Sequence, residues 1–218
     1  MATRKIKFIT GEYYHVFNRG VDKRKIFLDQ DDMERFFQSM SEFNSIKPIG
    51  SLYENSFRQL RSGAPKFKKL VDFVCYCLVP NHYHFILKQL VDKGIEKFMQ
   101  KIGGYPKYFN EKYKRSGALF QGPFKAIHID SNEYLLHLSV YINLNNRVHG
   151  HENKLYKSEL TKSSWSEYAG ENKNQFCSKD IILKQFKNIK EYKNFSDEAL
   201  EWIKENKESA KYLLEEST

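Results

Sequence analysis

Two histidines stand two residues apart in Pro80-Asn81-His82-Tyr83-His84-Phe85. In an extended strand, residues i and i+2 point to the same face. His82 and His84 would therefore present two neutral imidazoles side by side. Such a pair can hold a divalent metal and leave positions open for a substrate oxygen. With seven histidines in 218 residues, chance supplies roughly 0.2 His-x-His pairs per chain, so this spacing is a weak signal by itself. A second pair, Tyr141 and Asn145, is four residues apart in a helical stretch and would share one helix face. A phenol and an amide oxygen on that face could meet the imidazoles, supplying a nucleophile and a further metal ligand. Taken singly, these spacings are better explained by a pair of half-buried or surface strand histidines and by one more core tyrosine. Cys75 and Cys77 lie just upstream, and with His82 and His84 they form a possible zinc set. Structural zinc sites usually space paired ligands by two to four residues rather than one. Buried strand cysteines explain Cys75 and Cys77 equally well.

The elements that must position these residues follow from periodicity and punctuation. Tyr13–Phe17 is aromatic and β-branched and reads as a strand, closed by Asn18-Arg19-Gly20. Asp31 to about Asn44 reads as a helix, with Phe36, Phe37 and Met40 at helical spacing. Residues 45–68 read as a long basic loop. Lys69–Pro80 and His82–Lys88 read as two strands joined at Pro80-Asn81. Residues 93–114 read as a helix with a kink at Gly103, Gly104 and Pro106. Ala118–Ile129 is a third β stretch, interrupted at Gly122-Pro123. Ser131 then caps a helix running to about Asn145. This order predicts an α+β chain: a ferredoxin-like split βαβ antiparallel sheet with helices on one face. The chain would divide near residue 150. Residues 151–218 show no obvious strand, and the amphipathic stretches Ile181–Phe186 and Asp197–Leu214 predict a C-terminal helical extension.

The charge agrees with that division. The chain carries +9 overall with a pI near 9.2. Residues 1–150 hold 24 basic and 14 acidic side chains, a charge of +10, and residues 151–218 hold 12 and 13, a charge of −1. A basic first part followed by a neutral appendage points to an anionic partner, above all nucleic acid. Arg19, Lys23, Arg24, Lys25, Lys107, Lys112, Lys114, Arg115 and Lys125 are the candidate phosphate contacts, with Tyr108 and Tyr113 placed to stack on bases. A hydrophobic content of 40% with 15% aromatics excludes a disordered chain. There is no run of about 18 apolar residues and so no expected transmembrane helix. Three cysteines and no apolar signal core after the basic start predict a cytoplasmic protein.

Four segments in order then carry a family likeness. Tyr14-His15-Val16-Phe17-Asn18-Arg19-Gly20, Leu78 through His84, Ser116 through Gly122, and Tyr134 through Asn145 resemble the single-tyrosine transposases of the HUH (His-hydrophobe-His) endonuclease superfamily. The REP-associated tyrosine transposases, relatives of the small insertion-sequence transposases, are the most similar branch. The resemblance covers residues 8–150. It implies that His82 and His84 bind Mg²⁺ or Mn²⁺ with Asn145 as third ligand. It further implies that Tyr141 attacks single-stranded, hairpin-forming DNA, leaving a 5′-phosphotyrosine and a free 3′-OH. Two positions depart from the family pattern: Asn145 is followed by Asn146-Arg147-Val148 where Pro-Val-Arg is usual, and Pro123 follows Gln121-Gly122 where Arg is frequent. The first bears on the helix end and the second on one phosphate contact. The resemblance leaves monomer and homodimer both open. The competing reading is a non-catalytic RNA- or single-stranded-DNA-binding ferredoxin-like module, which would need neither the histidine pair nor Tyr141.

Overall fold

The computed structural model describes residues 6–50, 52, 68–148, 160–172 and 176–206. Its strands are β1 (Tyr13–Arg19), β2 (Val71–Val79), β3 (His82–Gln89), β4 (Lys125–His128) and β5 (Lys162–Ser163). They form one sheet in the order β4-β1-β3-β2-β5 with every neighbouring pair antiparallel. The first four strands have the split βαβ arrangement that the sequence predicts. The helix α1 (Gln30–Glu42) links β1 to β2, and α2 (Gly94–Ile102) with α3 (Tyr105–Lys112) links β3 to β4. Asp29 starts α1 by accepting a hydrogen bond from the Asp32 amide at 2.9 Å. The single kinked helix expected over 93–114 is two helices. Gly103-Gly104 breaks it, and Pro106 lies in the first turn of α3, where its missing N–H costs nothing.

Two apolar cores lie on either side of the sheet. One joins Tyr14, Val16, Tyr83, Phe85 and Leu87 to Phe36 and Met40 of α1, Phe98 of α2 and Phe109 of α3. The other joins Cys75, Cys77, Val79 and Ile86 to α4 (Asn132–Asn143) and to the C-terminal segment, through Tyr168, Ile182, Tyr192 and Leu200. The helices therefore cover both faces rather than one. Beyond α4 lie α5 (Asn145–Val148), α6 (Trp165–Tyr168), α7 (Asp180–Leu183) and α8 (Ile189–Glu205). The C-terminal part also contributes a strand that the residue pattern does not reveal: β5 pairs with Cys77 and Leu78 of β2. Two residues are too few to show a period. Ala199, Leu200 and Ile203 of the expected amphipathic stretch are buried on α8, which begins at Ile189 rather than Asp197. Ala210 and Leu213-Leu214 lie outside the described residues, as does most of the expected 45–68 loop.

Two further differences concern the sheet. The β stretch expected over Ala118–Ile129 shrinks to β4 and an isolated bridge between Gly20 and Phe120. Gly122 takes φ +81, a left-handed turn that ends pairing on that side. In β2 the register with β3 shifts between Phe73 and Cys75. This bulge changes which alternate residues face which core. Phe73 lies in the first core, Val74 and Cys75 both lie in the second, and Tyr76 returns to the first.

Candidate active site and nucleic-acid face

The registers place the chemistry on one sheet face. Arg19 of β1 stands opposite His82 of β3, and Phe17 stands opposite His84. Lys125 of β4 stands opposite Phe17 on its other side, and Cys77 and Val79 of β2 stand opposite His84 and His82. Directly opposed residues share a face, so His15, Phe17, Arg19, His82, His84 and Lys125 belong together. Tyr83 points the other way. It is buried against Phe36, with ring centroids 5.3 Å apart, and Phe85, at 4.7 Å. Burying that ring contributes about 1.5–3 kcal/mol and locks the strand's face assignment.

The two imidazoles are 4% and 2% exposed, with ring centroids 4.9 Å apart and planes at 88°. His82 Nδ1 lies 2.7 Å from Asn81 Oδ1. The Asn81 amide donates from Nδ2 to the Lys23 carbonyl at 3.3 Å, so its oxygen is the atom facing His82. An amide oxygen only accepts, so His82 carries its proton on Nδ1 and Nε2 is the acceptor nitrogen of the ring. His84 Nδ1 lies 2.9 Å from His15 Nε2. His15 is fully buried, and burial, reinforced by neighbouring His84, holds it well below the usual imidazole range. Neutral His15 can accept from His84 Nδ1–H, which makes Nε2 the acceptor nitrogen of His84 in the same way. His15 and Asn81 are thus orienting residues that spacing alone does not single out. The period-two alternation His15-Phe17-Arg19 is the one available signal for the first.

Tyr141 lies on α4, which starts at Ser131, whose Oγ accepts from the Tyr134 amide at 3.2 Å as the sequence predicts. The Tyr141 ring is 3% exposed and meets His84 edge-on, with centroids 5.7 Å apart and planes at 85°. The structure therefore brings the tyrosine to the histidine pair. The helix does not continue to Asn145 as expected: Leu144 has φ −111 and ψ 20, and Asn145 opens the next short turn. Four-residue spacing alone therefore does not put Asn145 on Tyr141's face. The Asn145 side chain is fully buried, and neither Oδ1 nor Nδ2 has a hydrogen-bond partner among the described residues. A buried amide without partners costs about 1–3 kcal/mol, and a metal bound at Oδ1 would remove part of that cost. Two imidazole nitrogens and an amide oxygen are a mixed donor set of the kind that could take a divalent cation. Among the described residues, no group of three or more His, Cys, Asp or Glu side chains gathers as a metal site. The zinc reading of Cys75, Cys77, His82 and His84 therefore has no assembled site. Burial pushes both thiols up, away from the thiolate that zinc binds.

The basic candidates fall into distinct groups. The loop after β1 wraps the Pro80-Asn81 turn, with the Ile26 and Phe27 amides donating to the Pro80 carbonyl at 2.7 and 3.1 Å. The Gly20 amide donates to the Asn81 carbonyl, and the Gln121 amide to the Arg19 carbonyl, both at 2.8 Å. Lys23, Arg24 and Lys25 are thus carried, exposed, at the His82 end of the sheet. Arg24 spends part of its charge on Asp22 at 3.4 Å. Arg19 Nε is buried without a hydrogen bond among the described residues, beside the histidine pair. Lys125 and Lys114 are exposed. Lys112 is engaged within the protein: its ammonium donates at 2.8 Å to both Asp29 oxygens and to buried Asp32. The Tyr113 hydroxyl lies 2.9 and 2.8 Å from the same two carboxylates, with one proton to donate between them. Arg115 is bonded to Asn110 and the Ala118 carbonyl. Lys107 pairs loosely with Glu111 at 3.8 Å on α3, a helix of the other core.

No protein-family model matches this chain, and no curated protein matches it in sequence. Among solved structures, a REP-associated tyrosine transposase bound to a REP hairpin matches with a TM-score of 0.50. The two chains are 14% identical over 78% of this chain and 86% of that one. The likeness supports the α+β fold described above. No helix among the described residues is long and apolar enough to cross a membrane.

Proposed function

We propose that this chain cuts and rejoins single-stranded DNA through a covalent phosphotyrosine at Tyr141, in the manner of the HUH tyrosine transposases. The observation that carries the reading is the convergence on one sheet face. Two buried imidazoles are oriented by Asn81 and His15, Tyr141 lies edge-on to His84 at 5.7 Å, and Arg19 stands across from His82. His82, His84 and Asn145 would hold Mg²⁺ or Mn²⁺. When bound, the ion supplies Lewis-acid polarisation of a non-bridging phosphate oxygen. Arg19 then neutralises charge on the same phosphate, and Lys23, Lys25 and Lys125 hold the flanking backbone.

Tyr141 Oη attacks phosphorus in line. The new Oη–P bond forms as the P–O3′ bond breaks, the phenolic proton leaves through solvent, and the released 3′ oxygen takes up a proton. The product is a 5′-phosphotyrosine and a free 3′-OH. The phosphodiester bond is exchanged rather than hydrolysed, so a second 3′-OH can reverse the step without a nucleotide cofactor. The three side chains nearest the reaction are 2–4% exposed. A phosphate therefore reaches them only after the covering surface shifts.

The REP hairpin held by the matching structure makes hairpin-forming single strands the first substrate to try. Incubation of labelled hairpins with the protein and Mn²⁺ is expected to give a covalent adduct that survives denaturing electrophoresis and disappears with EDTA. An adduct that persists in EDTA overturns the metal assignment. No adduct, together with tight RNA binding, overturns catalysis in favour of the RNA-binding reading.

A further inference from the structure

The end of α4 is fastened to the sheet by the C-terminal segment, two residues from both Tyr141 and Asn145. Asn143 is the last residue of α4 and is fully buried. Its Oδ1 accepts from Ser164 Oγ at 2.6 Å, and its Nδ2 donates to Tyr192 Oη at 3.2 Å. Its backbone carbonyl accepts from Ser163 Oγ at 2.9 Å. Ser164 in turn grips β2: Tyr76 N donates to Ser164 Oγ, and Ser164 N donates to the Tyr76 carbonyl, both at 3.0 Å. Tyr76 precedes Cys77, which stands opposite His84. One serine thus ties the helix that bears Tyr141 to the strand beside the histidine strand. Ser164 and Tyr192 are both fully buried, so water does not compete for these bonds.

We infer that Ser164, with Asn143 and Tyr192, is a positioning device that sets the distance between Tyr141 and His84, so that the C-terminal segment acts in the chemistry by holding the nucleophile helix. The inference rests on the proposed role of Tyr141. The break at Leu144 gives the device its place. Regular helix stops at Asn143 and resumes only as one short turn at Asn145, so contacts on that end help set where both Tyr141 and Asn145 lie. A misplacement of about 1 Å in a reacting group can cost up to a hundredfold in rate.

The test compares Ser164→Ala and Tyr192→Phe with Ser39→Ala. Ser39 is a buried serine on α1, in the other core region, whose Oγ donates to the Arg35 carbonyl at 2.8 Å, so it serves as a control for stability loss alone. Two kinds of measurement, kinetic with binding and spectroscopic, are made at a temperature where all variants are folded. The first is the single-turnover rate of adduct formation beside the Kd for the hairpin. The second is the chemical shift of the His84 ring protons, which the edge-on Tyr141 ring displaces. Ser164→Ala is expected to slow adduct formation roughly ten- to a hundredfold with Kd within about twofold, and to move the His84 signal. Ser39→Ala is expected to change neither. A wild-type rate in Ser164→Ala, or a loss no larger than that of Ser39→Ala, overturns the inference. If Ser164→Ala does not fold, Tyr192→Phe, which keeps the buried ring, takes its place: a slowed adduct with a moved His84 signal supports the clamp, and a wild-type rate overturns it. An adduct that survives Tyr141→Phe defeats the nucleophile assignment instead, and the His84 shift still reports on the clamp.

Discussion

Replacing Tyr141 with Phe removes a single oxygen from a ring that is 3% exposed and edge-on to His84. The buried ring surface stays, with its contribution of about 1.5–3 kcal/mol. The edge-to-face contact, about 0.5–1.5 kcal/mol, also stays. What goes is at most the net value of one hydroxyl hydrogen bond, about 0.5–1.5 kcal/mol. In a chain of this size 1 kcal/mol moves Tm by about 2–4 °C. Tyr141→Phe should therefore melt within about 6 °C of the wild type while losing the adduct entirely, because phenylalanine has no nucleophile. Tyr141→Ala would add a cavity and cost about 3–5 kcal/mol, which confounds folding with chemistry. The assay is a labelled hairpin with Mn²⁺ on a denaturing gel, beside a melting curve. An undiminished adduct refutes the reasoning. Tyr105 and Tyr113 are poorly placed to replace it. Tyr105 donates to the Ile26 carbonyl, and Tyr113 faces two carboxylates, both in the opposite core region. Burial and nearby Asp130 push the Tyr134 phenol up to about 12. Persistence of the adduct would therefore leave Tyr134, on the same helix, as the one alternative among these three or contradict the site.

Asn145→Leu should raise Tm or leave it unchanged, since a buried unpartnered amide costing about 1–3 kcal/mol is removed, while isothermal titration shows weaker Mn²⁺ binding; a clear loss of stability would mean the amide is satisfied by the fold. Lys125→Ala should weaken hairpin binding and lower the slope of log K against log salt by about 1. Lys112→Met should leave that slope unchanged and destabilise the fold by about 1–3 kcal/mol in a denaturant titration, because buried Asp32 loses a charged partner; the opposite pattern would return Lys112 to the DNA contacts. Asp29→Asn keeps the cap of α1 but removes an ion pair. Lys112 beside Asp29 holds that carboxyl below its usual 3.8, so its contribution is present above that value and is lost as pH falls through the lower folded value. The variant should lose less stability than the wild type as pH falls below about 3.8, by no more than about 1 kcal/mol given that the carboxylate is half exposed; identical acid limbs would show that the pair contributes nothing.

The local pattern of this chain determined much by itself. The split βαβ order, the Ser131 cap, the shared face of His82 and His84 and the basic first part all follow from spacing and side-chain type, which act over a few residues. The tertiary structure decided what depends on distant partners. β2 reads as an unbroken apolar run, and only pairing with β3 puts a bulge after Phe73 and so selects which residues face the histidines. Lys112 and Lys125 are the same residue type in sequence, yet one lies against Asp29 and Asp32 while the other is exposed beside the site. The helix through Tyr141 has no proline or glycine to end it, so its close at Asn143 was not legible. That end is gripped by Ser164 and Tyr192, 21 and 49 residues further on. Periodicity reports which face an element shows to a core. It carries no record of which segment, far along the chain, returns to cover that face, and that return is what holds Tyr141 against His84.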